Sequence, residues 1–129
     1  MANQRRLQLL VTGPARRDLA AIATWTVQEF GEAAALRYKA LIRQALLDIE
    51  ADPERPGSRE RPDIMIEGAR TYHISLSRAR VTGVRVKKPR HFLLYRRRSD
   101  GLIEVARILH DTLDLTRHLP EAYRLADEE

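Results

Sequence analysis

The sequence predicts a two-layer α+β domain: one strand, an antiparallel hairpin of two helices, then a three-stranded antiparallel meander followed by a short C-terminal helix. Two adjoining segments carry apolar residues at spacings of three and four, as core-facing helices do. Three later segments read as strands, and tight turn signals separate them. The helical stripes can bury only against a sheet face, which gives two layers. With 129 residues the chain has the length of one domain, taken as 1–129 with frayed ends at 1–4 and 123–129.

Each element has its own warrant. "RRLQLLVT" alternates at Leu7, Leu9 and Val11, as a half-buried strand should. Thr12, Gly13 and Pro14 supply a break and a first-turn proline. From Ala15 to Phe30, a stripe of Leu19, Ile22, Ala23, Thr26 and Phe30 faces the core. Gly31 fits a C-cap and a sharp reversal. A second stripe follows at once (Ala35, Tyr38, Ile42, Ala45, Leu46, Ile49) and ends before Pro53, because a residue preceding proline avoids helical geometry. Helices joined so tightly lie antiparallel. "ADPERPGSRERPD" reads as loop. In "RTYHISLS", Tyr72, Ile74 and Leu76 share one strand face, with His73, Ser75 and Ser77 on the other. "HFLLYRR" and "LIEVARIL" are two further strands, joined through the hairpin signal Asp100-Gly101. The intervening "RARVTGVRVKKPR" is a long basic connection suited to an extended hairpin tip, and a short helix is expected from Asp114.

Composition narrows the function classes. Hydrophobic content of 43% beside 32% charged residues is that of a soluble globular protein. The absence of cysteine excludes disulfides and thiolate metal sites and suits a reducing compartment. No early apolar run has the form of a signal peptide or the length of a membrane span, so a cytoplasmic protein without membrane contact is expected. The formal charge is +5 and unevenly placed. Between Glu67 and Asp100 there is no acidic residue, whereas Arg70, Arg78, Arg80, Arg85, Lys87, Lys88, Arg90, Arg96, Arg97 and Arg98 fall there. Such a block attracts a nucleic-acid backbone or an acidic protein segment, although a solvated face is the simpler reading of charge alone.

No motif announces an enzyme. His73, His91, His110 and His118 lack the i, i+4 spacing of a helical zinc pair, and no metal or cofactor is expected. There is no glycine-rich phosphate loop, no nucleophile elbow, and no carboxylate pair in the strand region. A nuclease would need an acid–base group with cations for the charge on phosphorus; His73 with Arg96 or Arg107 is the available set. The simpler reading makes Tyr72 and Tyr95 core aromatics, and His73 and the arginines exposed sheet residues. Arg107 interrupts an apolar strand and needs a partner, for which Asp114 or a helix C-terminus is the candidate. His110 falls where that strand ends. Asp114 is placed to cap "LTRHLPEAY", with Arg117 and His118 in the following turn, so a shape-holding role accounts for the spacing.

These residues resemble a family. "PARRDLAAIATWTVQEFGEAAALRYKALIRQALLDIEADPERPGSR" is similar to the helical hairpin of ParE-type toxins of bacterial toxin–antitoxin pairs, through Asp18-Leu19, Ile22, Phe30-Gly31, Ala35, Tyr38, Leu41 and Pro53. "FLLYRRRSDGLIEVARILHDTLDLTRHLP" resembles the same family's ending, through Tyr95-Arg96, Gly101, Ile103-Glu104-Val105, Arg107 to His110, Asp114 and Arg117-His118-Leu119. The resemblance implies the ParE/RelE fold, a small ParD-like antitoxin with an acidic C-terminal segment, and one of two activities. ParE-like members poison DNA gyrase by binding; RelE-like members cut messenger RNA on the ribosome. Where the cutting branch carries cations, this chain has His73, Ser75, Phe92, Leu113 and Asp114, and losing such groups removes transition-state stabilisation. The resemblance therefore favours a gyrase-binding, non-enzymatic toxin over a ribonuclease or a degenerate antitoxin-binding module. Its expected target- or antitoxin-binding residues are Arg96, Arg97, Arg98, Arg107, His110, Asp114, Arg117 and His118. The basic connection is longer than the family's usual turn, so the 78–98 segment is a candidate for DNA contact.

Overall fold

A computed structural model describes residues 8–113. Thr12 fixes how the chain leaves its first strand, β1 (Leu9–Val11), and enters its first helix, α1 (Gly13–Phe30). The Thr12 hydroxyl accepts the Ala15 amide as an N-cap, and Pro14 sits in the first turn, where its missing N–H costs nothing. At the other end Gly31 adopts φ 93°, and its amide donates to Val27 across 2.9 Å. This left-handed turn, which favours glycine, reverses the chain directly into α2 (Glu32–Ala51).

After α2 come β2 (Arg59–Glu60), β3 (Ala69–His73), β4 (His91–Arg97) and β5 (Ile103–His110). They form one sheet ordered β1-β5-β4-β3-β2, in which β1 runs parallel to β5 and every other pair is antiparallel. The helix hairpin covers one face: Leu41, Ile42 and Ile49 of α2 are buried in one cluster with Tyr72, Leu93 and Val105 of the sheet. Burying each such aliphatic side chain contributes about 1.5–3 kcal/mol. The opposite face carries its own cluster around Ile64, Ala69, Leu94 and Leu109.

The two-layer α+β expectation holds, as do the helix hairpin and the Asp100-Gly101 turn. There the Gly101 amide donates to Arg98, and the Arg98 amide to Leu102. Several particulars differ. Among the described residues the sheet has five strands rather than four, because "RE" at 59–60, inside the expected loop, pairs with Thr71 and Arg70. Two charged residues give no alternation to read. The α1 stripe stops at Thr26, which is buried; Phe30 is 64% exposed and packs edge to face with Trp25, with ring centroids 5.6 Å apart.

The strand expected over "RTYHISLS" ends at His73, and a 3-10 helix, Ile74–Arg80, replaces its second half. A buried carboxylate explains the break. Asp48 of α2 accepts from Ser77 Oγ at 2.6 Å, Gln44 Nε2 at 2.9 Å and Arg80 Nε at 2.9 Å. Satisfying it draws Ser77 inward, and Leu76 turns out to 48% exposure. Nor is the basic connection a hairpin tip. It folds back, with Val81 and Val86 packed on the core and Arg78 donating to the carbonyls of Val86 and Lys87. The helix expected from Asp114 lies outside the described residues. Among the described residues no helix is long and apolar enough to cross a membrane.

Candidate functional site

The antiparallel register of three strands brings three histidines to one end of the sheet. His73 closes β3, His91 opens β4, and His110, directly paired with His91, closes β5. Tyr38 reaches them from α2, and Arg90 and Asp111 flank them in sequence.

A network of hydrogen bonds orders this end. The Arg90 amide donates to Tyr38 Oη at 2.9 Å, and Tyr38 Oη and His91 Nδ1 share a hydrogen bond of 2.6 Å. Burial lowers the His91 pKa to about 4, with the His110 charge acting in the same direction, so the ring is neutral near pH 7. Burial also raises the Tyr38 hydroxyl. The His91 and His110 rings meet edge to face at 5.3 Å, and His110 Nδ1 lies 2.9 Å from Thr112 Oγ1. On the other side, His73 Nδ1 accepts the Ser75 amide, which places its ring proton on Nε2, 3.1 Å from Asp111 Oδ2. Arg90 grips the same carboxylate through Nε and Nη2, the main reason that its pKa is lowered to about 2; His73 assists.

The result is a surface of three imidazoles, a phenol and an arginine–carboxylate pair, able to exchange protons and to accept or donate hydrogen bonds. Its arginine is already engaged. Among the described residues no group of three or more His, Asp or Glu is arranged to hold a metal ion.

Of the described residues expected from sequence, His110 belongs to this end, whereas Arg96, Arg97, Arg98 and Arg107 lie elsewhere. Arg107 finds its acceptor on α1 rather than at a helix C-terminus. Its Nε and Nη2 hold Asp18 of α1 at 2.7 and 2.9 Å, and the same carboxylate accepts the Ile108 amide at 2.9 Å. The reason is topological. Paired residues of β1 and β5 end at Val11 and Val105, so beyond them the edge of β5 has no strand partner, and the first turns of α1 take over through Thr12 and Asp18. Arg96 binds Glu104 Oε1 at 2.9 Å, and Arg98 binds Asp100 at 3.2 Å within the hairpin. Arg97 is exposed beside a groove of about 430 Å³ that also holds Glu60, Arg61, Glu67 and Arg70. Arg96 to Arg98 thus sit some 20 Å along β4 from His91. The nuclease set of His73 with Arg96 or Arg107 is not assembled, since each arginine faces a carboxylate of its own. Asp114, Arg117 and His118 lie outside the described residues.

Sequence reasoning missed Tyr38, Arg90, His91 and Asp111 as members of one group. One signal was available: counting outward from the Asp100-Gly101 turn sets His91 opposite His110; the strand pairs nearest the turn are offset by one residue, and the register shift at Leu94/Tyr95 restores the count. Nothing local marks Tyr38 as their partner.

Comparison with known proteins agrees with this architecture. The family profile described as "ParE toxin of type II toxin-antitoxin system, parDE" matches residues 9–114. Among solved structures, the chain is similar to one titled "Chromosomal ParDE TA system from P. aeruginosa", with a TM-score of 0.61 and 19% sequence identity over 81% of this chain and 96% of that one. No curated protein sequence matches. The profile covers most of the chain, including both strand ends that carry His91 and His110, and on that extent the chain belongs to the ParE toxin family of type II toxin–antitoxin systems.

Proposed function

We propose that this protein is the toxin of a type II pair, that it inhibits DNA gyrase by binding rather than by cutting a substrate, and that a ParD-like antitoxin neutralises it. The observation that carries the reading is the engagement of its arginines. Arg90, Arg96 and Arg107 each face a carboxylate, Asp111, Glu104 and Asp18, within hydrogen-bonding distance. Cleavage of a phosphodiester needs such cations aimed at the charge developing on phosphorus, and charges held by internal partners serve that purpose poorly. Family membership and the ParDE title of the structural neighbour support an antitoxin partner. An apolar groove of about 290 Å³ between α1 and α2, lined by Leu19, Ile22, Ala23, Tyr38 and Ile42, is suited to receive an amphipathic helix from it. The bound molecule would lie beside Tyr38, which joins the groove to the histidine end.

One observation favours a second reading, a ribosome-dependent ribonuclease: His73, His91, His110 and Tyr38 converge, and imidazoles are the commonest acid–base groups. A paired assay separates the two. Purified protein added to a gyrase supercoiling reaction is expected to block supercoiling and to leave transcripts intact in a translating extract. Cleaved transcripts with unimpaired supercoiling would replace the first reading by the second.

A further inference from the structure

We infer that residues 81–90, with Arg37 of α2 beside them, form a contact for the phosphate backbone of double-stranded DNA. The inference rests on the DNA contact included in the sequence reading of the 78–98 segment and narrows it to particular side chains.

The ten cations between Glu67 and Asp100 are not equivalent. Arg70 is turned to Ser58 and Glu60, Arg80 to Asp48, Arg90 to Asp111, Arg96 to Glu104 and Arg98 to Asp100. Arg78 holds the loop itself through two carbonyls. Arg85, Lys87 and Lys88 are exposed and, within the described residues, have neither an ion pair nor a side-chain hydrogen bond. They project from a segment that is pinned: Val81 and Val86 pack on the core and Pro89 is buried. Arg37 lines the same face as Arg85. Two carboxylates on neighbouring elements, Asp48 and Asp111, are already paired with Arg80 and Arg90. The result is a concentrated positive patch held in place before any partner arrives, which lowers the ordering cost of binding.

The occupant follows from what the patch lacks. An acidic peptide that docks by a helix or strand needs pockets for apolar anchors. Here the hollow between Arg37 and Arg85 encloses only about 10 Å³, and of the loop's three valines only Val84 is exposed, at 71%. No aromatic residue lies between Val81 and Arg90 to stack an unpaired base, which disfavours single strands. Regularly spaced phosphates of a duplex need neither pockets nor stacking, only cations.

The test uses the full chain and a short labelled DNA duplex, followed by fluorescence anisotropy over a series of KCl concentrations. Gyrase is absent, so failure here is separable from failure of the gyrase reading. Binding is expected to weaken steeply with salt. The triple variant R85A/K87A/K88A should retain its thermal midpoint by circular dichroism, because all three side chains are exposed. Its log–log salt slope should be shallower by roughly 3, one unit for each lost phosphate contact. R59A, which removes one exposed cation from β2 instead, should leave the slope unchanged. The inference is overturned if the wild-type chain does not bind, or if the triple variant binds with the parental slope. Displacement of the duplex by polyglutamate of matched charge as readily as by unlabelled DNA also overturns it, and assigns the patch to an acidic protein segment.

Discussion

Asp18, at the seam between α1 and β5, and Asp111, at the histidine end of the sheet, are each held by an arginine through two nitrogens. The Asp18–Arg107 pair is mostly covered, with side chains 15% and 23% exposed, and its carboxylate also takes the Ile108 amide from a strand edge. The Asp111–Arg90 pair is open, at 26% and 51%, and the same carboxylate faces His73 at 3.1 Å and His110 at 3.7 Å. The same chemistry therefore performs two tasks. At the seam it replaces a missing strand partner and fixes helix to sheet; at the histidine end it orients a surface that protons can reach. Depth and the identity of the further partners, rather than residue type, separate the two pairs.

Three experiments bear on that contrast. The largest effect is expected from Asp18→Ala, which leaves Arg107 and the Ile108 amide without their acceptor. Urea denaturation should report a loss of about 2–4 kcal/mol, reduced from the value for fully buried pairs because the site is partly exposed. A loss no greater than that of an ordinary surface substitution would erase the distinction between the two pairs.

An intermediate effect is expected from acid. His91 has a folded pKa of about 4, below the unfolded value of about 6.5. The folded state therefore disfavours its protonation, and the stability that this neutral ring contributes is complete above the unfolded value and is lost as pH falls from about 6.5 through 4. Asp111, depressed to about 2, adds a second loss below the ordinary carboxylate value near 3.9. Thermal midpoints measured against pH should fall in these two stages, and His91→Gln should abolish the upper one. A flat profile from pH 6.5 to 4 would contradict the assignment of a neutral, phenol-bonded His91.

The smallest effect is expected from Arg90→Ala. Solvent screens an exposed pair, so the midpoint should barely move. The Asp111 carboxyl should instead rise toward the usual carboxylate range, a shift readable by NMR titration. A large destabilisation would place this pair in the same class as the seam.

The helix hairpin was legible because Gly31 and the two stripes are local signals, and β4 and β5 because their apolar runs flank Asp100-Gly101. The second half of "RTYHISLS" was not, since its conformation depends on Asp48, 29 positions away from Ser77. Arg107 shows the same limit: the sequence indicates that it needs an acceptor but not that Asp18, 89 positions earlier, provides it. Of the candidate site, His110 was readable as a strand end. Its grouping with Tyr38, His91 and His73 depends on register and helix placement, which no spacing along the chain records.

The parallel pairing of β1 with β5 has a consequence for the order of assembly. β5 emerges last among the five strands during synthesis, yet it lies between β1 and β4 and supplies the carbonyls that receive Thr12. The hairpin of helices can form early from local contacts, but the layer beneath it stays open until residues 103–110 are available. A nascent chain therefore cannot present the three imidazoles together before translation of this region is complete.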